Sequence, residues 1–493
     1  MPVDKPLHAR LAADLAARID SGEWRAGTQI PSIRDLAAEL RVSPFTVSTA
    51  IKQLQSNGRL ETIHGKGTFV PATERPVPPA IPDFSWQNAL LRRPAPSRAN
   101  AIVQPLLMQT AHAPDTVVLA GGGEATDVLP LKSLESAWRG LLGDLSSGML
   151  GGWAPNGEIE TREWITEYLG KSGINTKPEN IIVTNGGQQA MSLVAHALLA
   201  PNDTVLVERP MYPFALSILE SVGVRCIDVP VDEDGQWVES AEDLIERFRP
   251  KLVLTVPTGQ VPTGLTLPLP RRRALLEAAR KHGIMILEDD HGSEINYDRP
   301  SPPSIKSFDT HGHVIYVKSF GKLTLPALRI GCIVAEGLVL EALSHEKLLS
   351  DRYTSPILQA AFLAYVTKPA FARDLKQYQR VYQERRDAML EALEAEMPPG
   401  VHWTVPSSGF YLWFTVPRGI SAQDVAARAA LNGVLVARAS PFFAQGDPDT
   451  GFRLTFTANP PDRLKLGVQR LAQAVIAALR DQEQSPAALA GRR

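Results

Sequence analysis

The segment Val317-Lys-Ser-Phe-Gly-Lys322 carries an amine, Lys322, with Ser319 just before it and Arg329 seven residues further on. An ε-amine so placed can condense with an aldehyde. Ser319 and Arg329 can hold a phosphate beside it, the guanidinium in bidentate fashion. Glu288-Asp289-Asp290 lies upstream, and an acid at the end of a strand there can face a protonated pyridine nitrogen. Together these are the requirements of pyridoxal 5′-phosphate, PLP.

Three further features fit the same chemistry, and each also has an ordinary structural reading. Thr184-Asn-Gly-Gly-Gln188 sits between an apolar run and a helical pattern. Gly186 and Gly187 would let a ligand approach the backbone, and the following helix N-terminus offers N–H groups to a phosphate. A glycine turn joining strand to helix has the same appearance. Asp289 follows the expected strand Ile284–Leu287 and is either the pyridine partner or a helix cap. Tyr212, in Arg209-Pro-Met-Tyr-Pro213, can stack on a ring or pack in the core.

These residues need a scaffold, and the pattern from about residue 115 onward supplies one. Asn180–Val183, Thr204–Val207, Leu252–Thr255, Ile284–Leu287, Val314–Val317 and Ile330–Val334 are short apolar runs that read as buried strands. Helical stretches such as Gln188–Leu199 and Arg271–His282 separate several of them. The alternation predicts an α/β sheet covered by helices on both faces. Ligands in such sheets bind beyond the carboxyl ends of the strands, where the polar motifs fall.

At 493 residues the chain is long enough for two to four units. Hydrophobic residues make up 44% and charged residues 21%, the balance of a globular protein. No apolar run reaches the roughly 18 residues of a membrane span, and no secretory leader is visible after Met1. Cys226 and Cys332 are the two cysteines, so a disulfide framework is excluded and a cytoplasmic location is expected. The net charge of −2 is not that of a protein that coats nucleic acid.

The first seventy residues are organised differently. Leu7, Leu11, Leu15 and Ile19 recur every four positions and make one helical stripe. Pro31-Ser32 starts a second helix with Ile33, Leu36, Ala37 and Leu40 inward. Ser43 is a good N-cap with Pro44 at the first helical position, and Val47, Ile51 and Leu54 give the third helix its buried face. Leu60–Ile63 and Thr68–Val70 read as strands around the tip His64-Gly-Lys-Gly67. Three helices and a hairpin predict a winged helix-turn-helix with Ser43–Asn57 as its recognition helix. His64 and Lys66 then lie near a phosphate or the minor groove. A small helical adaptor without nucleic acid has the same helix pattern, and nine Lys/Arg against seven Asp/Glu in residues 1–70 add little electrostatic weight.

Motifs decide between them. Gly22-x4-Gly27-x3-Pro31-Ser-x-Arg34-x-Leu-Ala37, Val42-Ser43-x2-Thr46-Val47 and Gly65-x-Gly67-Thr-Phe-Val70 resemble the GntR-family DNA-binding domain over nearly all of residues 5–70. The resemblance implies a double-stranded DNA operator as partner, met by Arg34, Thr46, His64 and Gly65, with Ser32, Ser43, Ser48 and Lys66 completing the candidate interface. Pro44 and Ser48 stand where the family often has cations, which should lower affinity and flatten its salt dependence. Residues 71–114 form a proline-rich, semi-rigid linker.

Residues 115–490 resemble fold-type I, class I/II aminotransferases, through Pro262-Thr-Gly264, Glu288-Asp289, Lys322, Ser407-Ser-Gly409 and Phe452-Arg453. The resemblance implies large and small domains around PLP. Lys322 would form the internal aldimine, Asp289 would pair with the pyridine nitrogen, and Tyr212 would stack on the ring. Gly186, Gly187, Gln188, Ser319 and Arg329 would hold the phosphate, and Arg453 a substrate or effector carboxylate. A GntR domain fused to this fold resembles the MocR-type transcription regulators, which act as head-to-tail homodimers.

Four positions depart from the enzymes of that fold. Val261 and His291 replace an Asn and a Tyr that donate to the cofactor's 3′-oxygen, Trp153 replaces a Tyr that reaches the partner subunit's phosphate, and Gly321 replaces a Ser. Losing donors to the 3′-oxygen raises the imine pKa; this leaves exchange with an amine intact and counts against efficient turnover. Phe214 lies near where GABA-sensing members have an extra Arg, so one carboxylate clamp is expected. The expectation is a PLP-dependent, DNA-binding transcription regulator that senses an amine, an amino acid or PLP itself, with weak or no aminotransferase turnover. The alternative is an active aminotransferase with a vestigial DNA-binding domain. No metal and no membrane partner are expected.

Overall fold

A computed structural model describes residues 6–63, 65–72, 86, 98, 115–122, 125–141, 152–232, 235–236, 238–446 and 449–484. The chain divides into two compact units, Met1–Ala95 and Pro96–Arg493. Most of the expected linker 71–114 lies outside the described residues, and so does His64.

The N-terminal unit has helices Leu7–Asp20, Ile33–Glu39 and Pro44–Ser56, then strands β1 (Glu61–Ile63) and β2 (Gly67–Phe69) in an antiparallel hairpin. Leu11, Leu15, Trp24, Leu36, Val47, Ile51, Leu54 and Leu60 form its core. Ser43 accepts the Thr46 backbone N–H at 3.1 Å and so caps the third helix, and Ser32 does the same for Asp35 at 3.3 Å. Ile33, expected to face inward, is exposed. As the first helical residue its side chain leans back toward the helix end, away from the buried row of Leu36 and Ala37.

The first strand described in the C-terminal unit is β3 (Val117–Val118). Its large sheet comprises β4 (Ile181–Thr184), β5 (Thr204–Arg209), β6 (Arg225–Asp232), β7 (Gly235–Gln236), β8 (Leu252–Thr255), β9 (Met285–Asp290), β10 (Val314–Ser319) and β11 (Gly331–Val334). The spatial order is β4-β11-β10-β9-β8-β5-β6-β7. β10, β9, β8, β5 and β6 run parallel, while β11 is antiparallel to both of its neighbours. Alternation sends Val205 and Val207 to one face, against helices Gly187–Leu198 and Pro213–Val222. Leu206 goes to the other, against helices Val238–Phe248 and Leu269–His282. Both faces are therefore dry, which is why these strands read as continuous apolar runs.

A smaller sheet follows. β12 (His402–Trp403), β13 (Tyr411–Thr415), β15 (Ala437–Arg438) and β16 (Gly451–Thr455) are antiparallel in the order β12-β13-β16-β15, and β14 (Val434–Leu435) pairs in parallel with β3. Val117 and Leu119 share a core with Leu412, Phe452 and Leu464. The first strand of this unit is thus built into its last subdomain. Asp289, expected just after its strand, lies inside β9, because the ladder to β10 continues through Val317↔Asp289 and Lys318↔Asp290. No helix begins there, which removes the helix-cap reading. No helix among the described residues is long and apolar enough to cross a membrane.

Substituting Ser43 by alanine removes one helix cap, a loss of about 1 kcal/mol. In scanning calorimetry of the full chain, the transition of the N-terminal unit should fall by roughly 4–8 °C and that of the C-terminal unit should not move.

Candidate functional site

The turn between β4 and helix Gly187–Leu198 is shaped by close backbone packing. Gly186 has φ +86°, and a Cβ there would come within 2.7 Å of Arg329 Nη2. A Cβ on Gly331 would lie 2.9 Å from the Gly186 Cα. Arg329, itself left-handed at φ +53°, donates to the Asn185 carbonyl at 3.2 Å. Gly187 opens the helix, and a Cβ there would meet Ser319, Val317 and Asp289 at 3.5, 3.7 and 3.9 Å. The result is a glycine-lined helix N-terminus beside a hydroxyl and a guanidinium, suited to a phosphate.

A buried ion pair holds this turn from behind. Lys347 Nζ is fully buried and donates to both Asp351 oxygens at 2.6 and 2.8 Å and to Thr354 Oγ1 at 3.0 Å. Asp351 Oδ2 accepts from Asn185 Nδ2 and Gln189 Nε2, each at 2.7 Å. Gln189 in turn accepts the Asn185 N–H at 2.7 Å.

The three acids of β9 separate by strand alternation. Glu288 accepts from Ser304 Oγ at 2.7 Å and from the backbone of Ile305 and Lys306. Asp290 accepts from Tyr316 Oη at 2.6 Å and Lys318 Nζ at 2.9 Å, and Lys318 also meets Glu294 at 2.7 Å. Burial alone would raise the Asp290 pKa, but the Lys318 ammonium and the hydroxyls of Tyr316 and Ser293 hold it well below the carboxylate range. Asp289 faces the other way, 6% exposed, and its carboxylate takes no hydrogen bond from the described residues. Burial, and then the charge of Asp290, push its pKa up to about 7.

One cavity of about 300 Å³ is lined by Gly187, Gln188, Tyr212, Asp289, His291, Ser319, Lys322, Arg329 and Arg453. Nine of the ten residues expected around a cofactor and its ligand meet there. The tenth, Gly186, stands directly behind as the bend of the turn. Lys322 Nζ donates to the Gly122 carbonyl at 2.6 Å and to Tyr411 Oη at 3.3 Å. Arg453, 4% exposed, donates to the Ala120 and Gly121 carbonyls at 2.5 and 2.7 Å, with its guanidinium over the Tyr411 ring. Gly122, Met191, Pro326 and Tyr411 also line the cavity. Sequence reasoning missed them, although Tyr411 lies two residues past the Ser407-Ser-Gly409 motif. It also missed Lys347, on a distant helix with no motif to mark it.

His291 differs from what an imidazole substitute for tyrosine suggests. Its Nε2 lies 3.0 Å from the Gly259 carbonyl, which can only accept, so Nε2 carries the proton. Burial, and then the Lys322 charge, lower its pKa to about 4. The neutral ring therefore leaves Nδ1 as a bare acceptor, buried and without a partner. Val261, beside it in the cavity wall, has no polar group. Neither residue donates on this side.

In the N-terminal unit, Arg34 is exposed in the second helix. Ser43, Thr46 and Ser48 occupy the start of the third, and Gly65 and Lys66 are exposed at the hairpin tip. The Ser32 and Ser43 hydroxyls are engaged as caps, the latter also bonded to Thr46 Oγ1 at 2.8 Å. Phe45, 82% exposed in the first turn of the third helix, was not singled out from the sequence. A large apolar residue in a cap position reads as ordinary until its exposure is known.

The cavity fits PLP. A buried, unbonded carboxylate needs a cationic or N–H partner to be stable, a protonated pyridine nitrogen is one, and the amine and phosphate-type groups surround it. Comparison with known proteins points the same way. Residues 144–484 match the family described as aminotransferase class I and II, and residues 7–70 match bacterial regulatory proteins of the gntR family. The C-terminal unit is thus a fold-type I aminotransferase domain. The chain is 32% identical to the kynurenine aminotransferase of Pyrococcus horikoshii, whose crystal structure holds PMP, with a TM-score of 0.74 over 79% of this chain and 96% of that one. Several relatives extend over both units, among them two bacterial regulators. The HTH-type transcriptional regulator YjiR of Escherichia coli is 30% identical over 96% of this chain and 99% of its own. The probable rhizopine catabolism regulatory protein MocR of Rhizobium meliloti is 29% identical over 96% and 94%. The chain belongs to the MocR-type regulators, in which a GntR helix-turn-helix domain precedes a class I and II aminotransferase domain.

Two outcomes follow from this geometry. Asp289, with its pKa raised to about 7, loses stability as pH rises from about 4 to 7, while His291, lowered to about 4, loses stability as pH falls from about 6.5 to 4. At about 1.4 kcal/mol per unit the two slopes nearly cancel. Asp289→Asn in the cofactor-free protein should therefore melt higher at pH 7 and expose the His291 slope, falling steadily between pH 6.5 and 4. Separately, Lys347→Met should weaken PLP binding about tenfold, the order expected for disrupting one buried charged contact, and leave pyridoxal unchanged. Fluorescence titration with both ligands separates this from a general loss of fold, which would weaken them equally.

Proposed function

We propose that this protein is a PLP-responsive transcription regulator. In this reading the N-terminal unit binds an operator in duplex DNA, and the C-terminal unit holds PLP through Lys322 and senses an amine or amino acid. The observation that carries the proposal is the convergence of Lys322, Asp289 and Arg453 on one cavity whose Val261–His291 wall offers no donor, in a chain that begins with a GntR domain. PLP, when bound, supplies an aldehyde that condenses with amines and a ring that withdraws electrons.

The protein's own groups have distinct tasks. Lys322 Nζ would be the amine that meets the aldehyde and gives way to an incoming amine. Asp289 would favour a proton on the pyridine nitrogen. Gly187, Gln188, Ser319 and Arg329 would hold the phosphate, and Tyr212 would cover the ring. Arg453 is then the cation left for the ligand, which favours a single carboxylate, and Phe214 and Val261 make the neighbouring wall uncharged. With no donor from Val261 or His291, proton transfer is poorly supported while amine exchange is not. A ligand must bind one arrangement of the protein better than another to shift it, and exchange at Lys322 provides such a difference. Exposed Trp153, in edge contact with Tyr353, together with exposed Leu349 and Ile357, supports a second copy of the chain as partner, in the head-to-tail dimer of the family.

On DNA, Arg34, Gly65 and Lys66 would meet the backbone and Phe45 a thymine methyl in the major groove. The intact Lys322, Asp289 and Arg453 also favour a second reading, an aminotransferase, which requires oxo-acid product in excess of enzyme.

Gel-shift titration against the DNA upstream of the protein's own gene, with and without PLP and candidate amines, tests the regulator. Retardation at low salt that responds to PLP is expected. Phe45→Ala should weaken specific binding by about 1–3 kcal/mol with an unchanged salt slope, and Lys66→Ala should reduce that slope by about one. Absence of retardation at low salt would sink the proposal.

A further inference from the structure

Residues 115–122 form a strap that is anchored at one end and, at the other, occupies both cations that a ligand must use. At the anchored end Asp115 accepts from Arg463 at 3.2 Å and also pairs with Arg470. Val117 and Leu119 donate to Gly433 and Leu435 at 2.9 and 2.8 Å. Asn459 Nδ2 donates to the Val118 carbonyl at 2.8 Å. At the other end three successive carbonyls turn into the cavity. Ala120 and Gly121 take hydrogens from Arg453 Nη2, and Gly122 takes one from Lys322 Nζ and another from Tyr411 Oη.

Nη2 carries two hydrogens, and the strap's two carbonyls use both. A carboxylate that takes Arg453 in bidentate fashion needs at least one of them. It has the advantage in that exchange, because a carboxylate brings a full opposite charge and a bidentate match to the guanidinium, whereas a backbone carbonyl offers only a dipole. An amine without a carboxylate has no such claim on Arg453.

Resting on the reading of this cavity as a PLP site, we propose that the strap is the ligand sensor. The carboxylate of an α-amino acid displaces the Ala120 and Gly121 carbonyls from Arg453, and Gly122 moves with them. Ligand occupancy is thereby converted into movement of the strap's 120–122 end, while residues 115–119 stay pinned by Arg463, Arg470, Asn459 and the Gly433 and Leu435 carbonyls. Asn459 sets how firmly the strap resists, and it acts from outside the cavity.

The test uses the full cofactor-free chain and two conjugates that carry the cofactor with them, N-(5′-phosphopyridoxyl)-L-leucine and N-(5′-phosphopyridoxyl)-isopentylamine, which differ only in the carboxylate. Hydrogen exchange over residues 116–122 should rise with the first relative to the second. In calorimetry, Asn459→Ala should tighten binding of the leucine conjugate about fivefold, the equivalent of one net hydrogen bond, and leave the isopentylamine conjugate unchanged. Equal exchange with both conjugates, or an Asn459→Ala effect that is the same for both, overturns the strap while leaving the cofactor site standing. Failure of both conjugates to bind overturns the cofactor-site reading itself.

Discussion

Three consecutive carboxylates, Glu288, Asp289 and Asp290, are buried at the end of a central parallel strand, and the architecture of the site follows from how they are satisfied. Alternation turns Glu288 and Asp290 to one face and Asp289 to the other. Glu288 is met by a hydroxyl and two backbone N–H groups, and Asp290 by Lys318, Tyr316 and Ser293. Lys318 is fully buried and bridges Asp290 to Glu294. A buried pair of this kind is tolerable because every polar atom has a partner. Among the described residues none donates a hydrogen bond to Asp289, and the cavity in front of it supplies space for a partner.

The remaining walls are brought to Asp289 from far apart in sequence. The β4 turn is clamped by a Lys347–Asp351 pair some 160 residues later in the chain. Lys322 follows the neighbouring strand β10. Arg453 and Tyr411 belong to the smaller sheet, whose core is completed by Val117 and Leu119. That last feature makes the chain entering the C-terminal unit part of the ligand pocket. Residues 120–122, just after that first strand, are thus bonded to the Arg453 and Lys322 side chains of the cavity.

Much of this was legible before any coordinates. All six expected strands are present, as are the two expected helices, because apolar runs buried on both faces leave an unmistakable pattern. The GntR domain was readable because Ser43-Pro44 and the Gly65–Gly67 tip are local signals whose physics acts within a few residues. Boundaries were less legible. Asp289 read as lying just past its strand because polar residues rarely sit in a central strand, yet the ladder to β10 carries it and Asp290 inside β9, with Lys318 and Tyr316 meeting Asp290. Ile33 read as core because its spacing matches Leu36 and Leu40, yet at the helix end it is exposed.

The sequence by itself determined which groups are available: the amine of Lys322, the Gly186–Gly187 turn with Ser319 and Arg329, the guanidinium of Arg453, and a GntR helix-turn-helix domain ahead of them. Residue type and short spacing suffice for these, since each depends on one turn or one strand end. Tertiary structure decided which acid of three is left unpaired, that His291 has given its only proton to Gly259, and that Arg453 and Lys322 are held by one strap. Those facts depend on which surfaces meet across long sequence separations, and no local pattern encodes them.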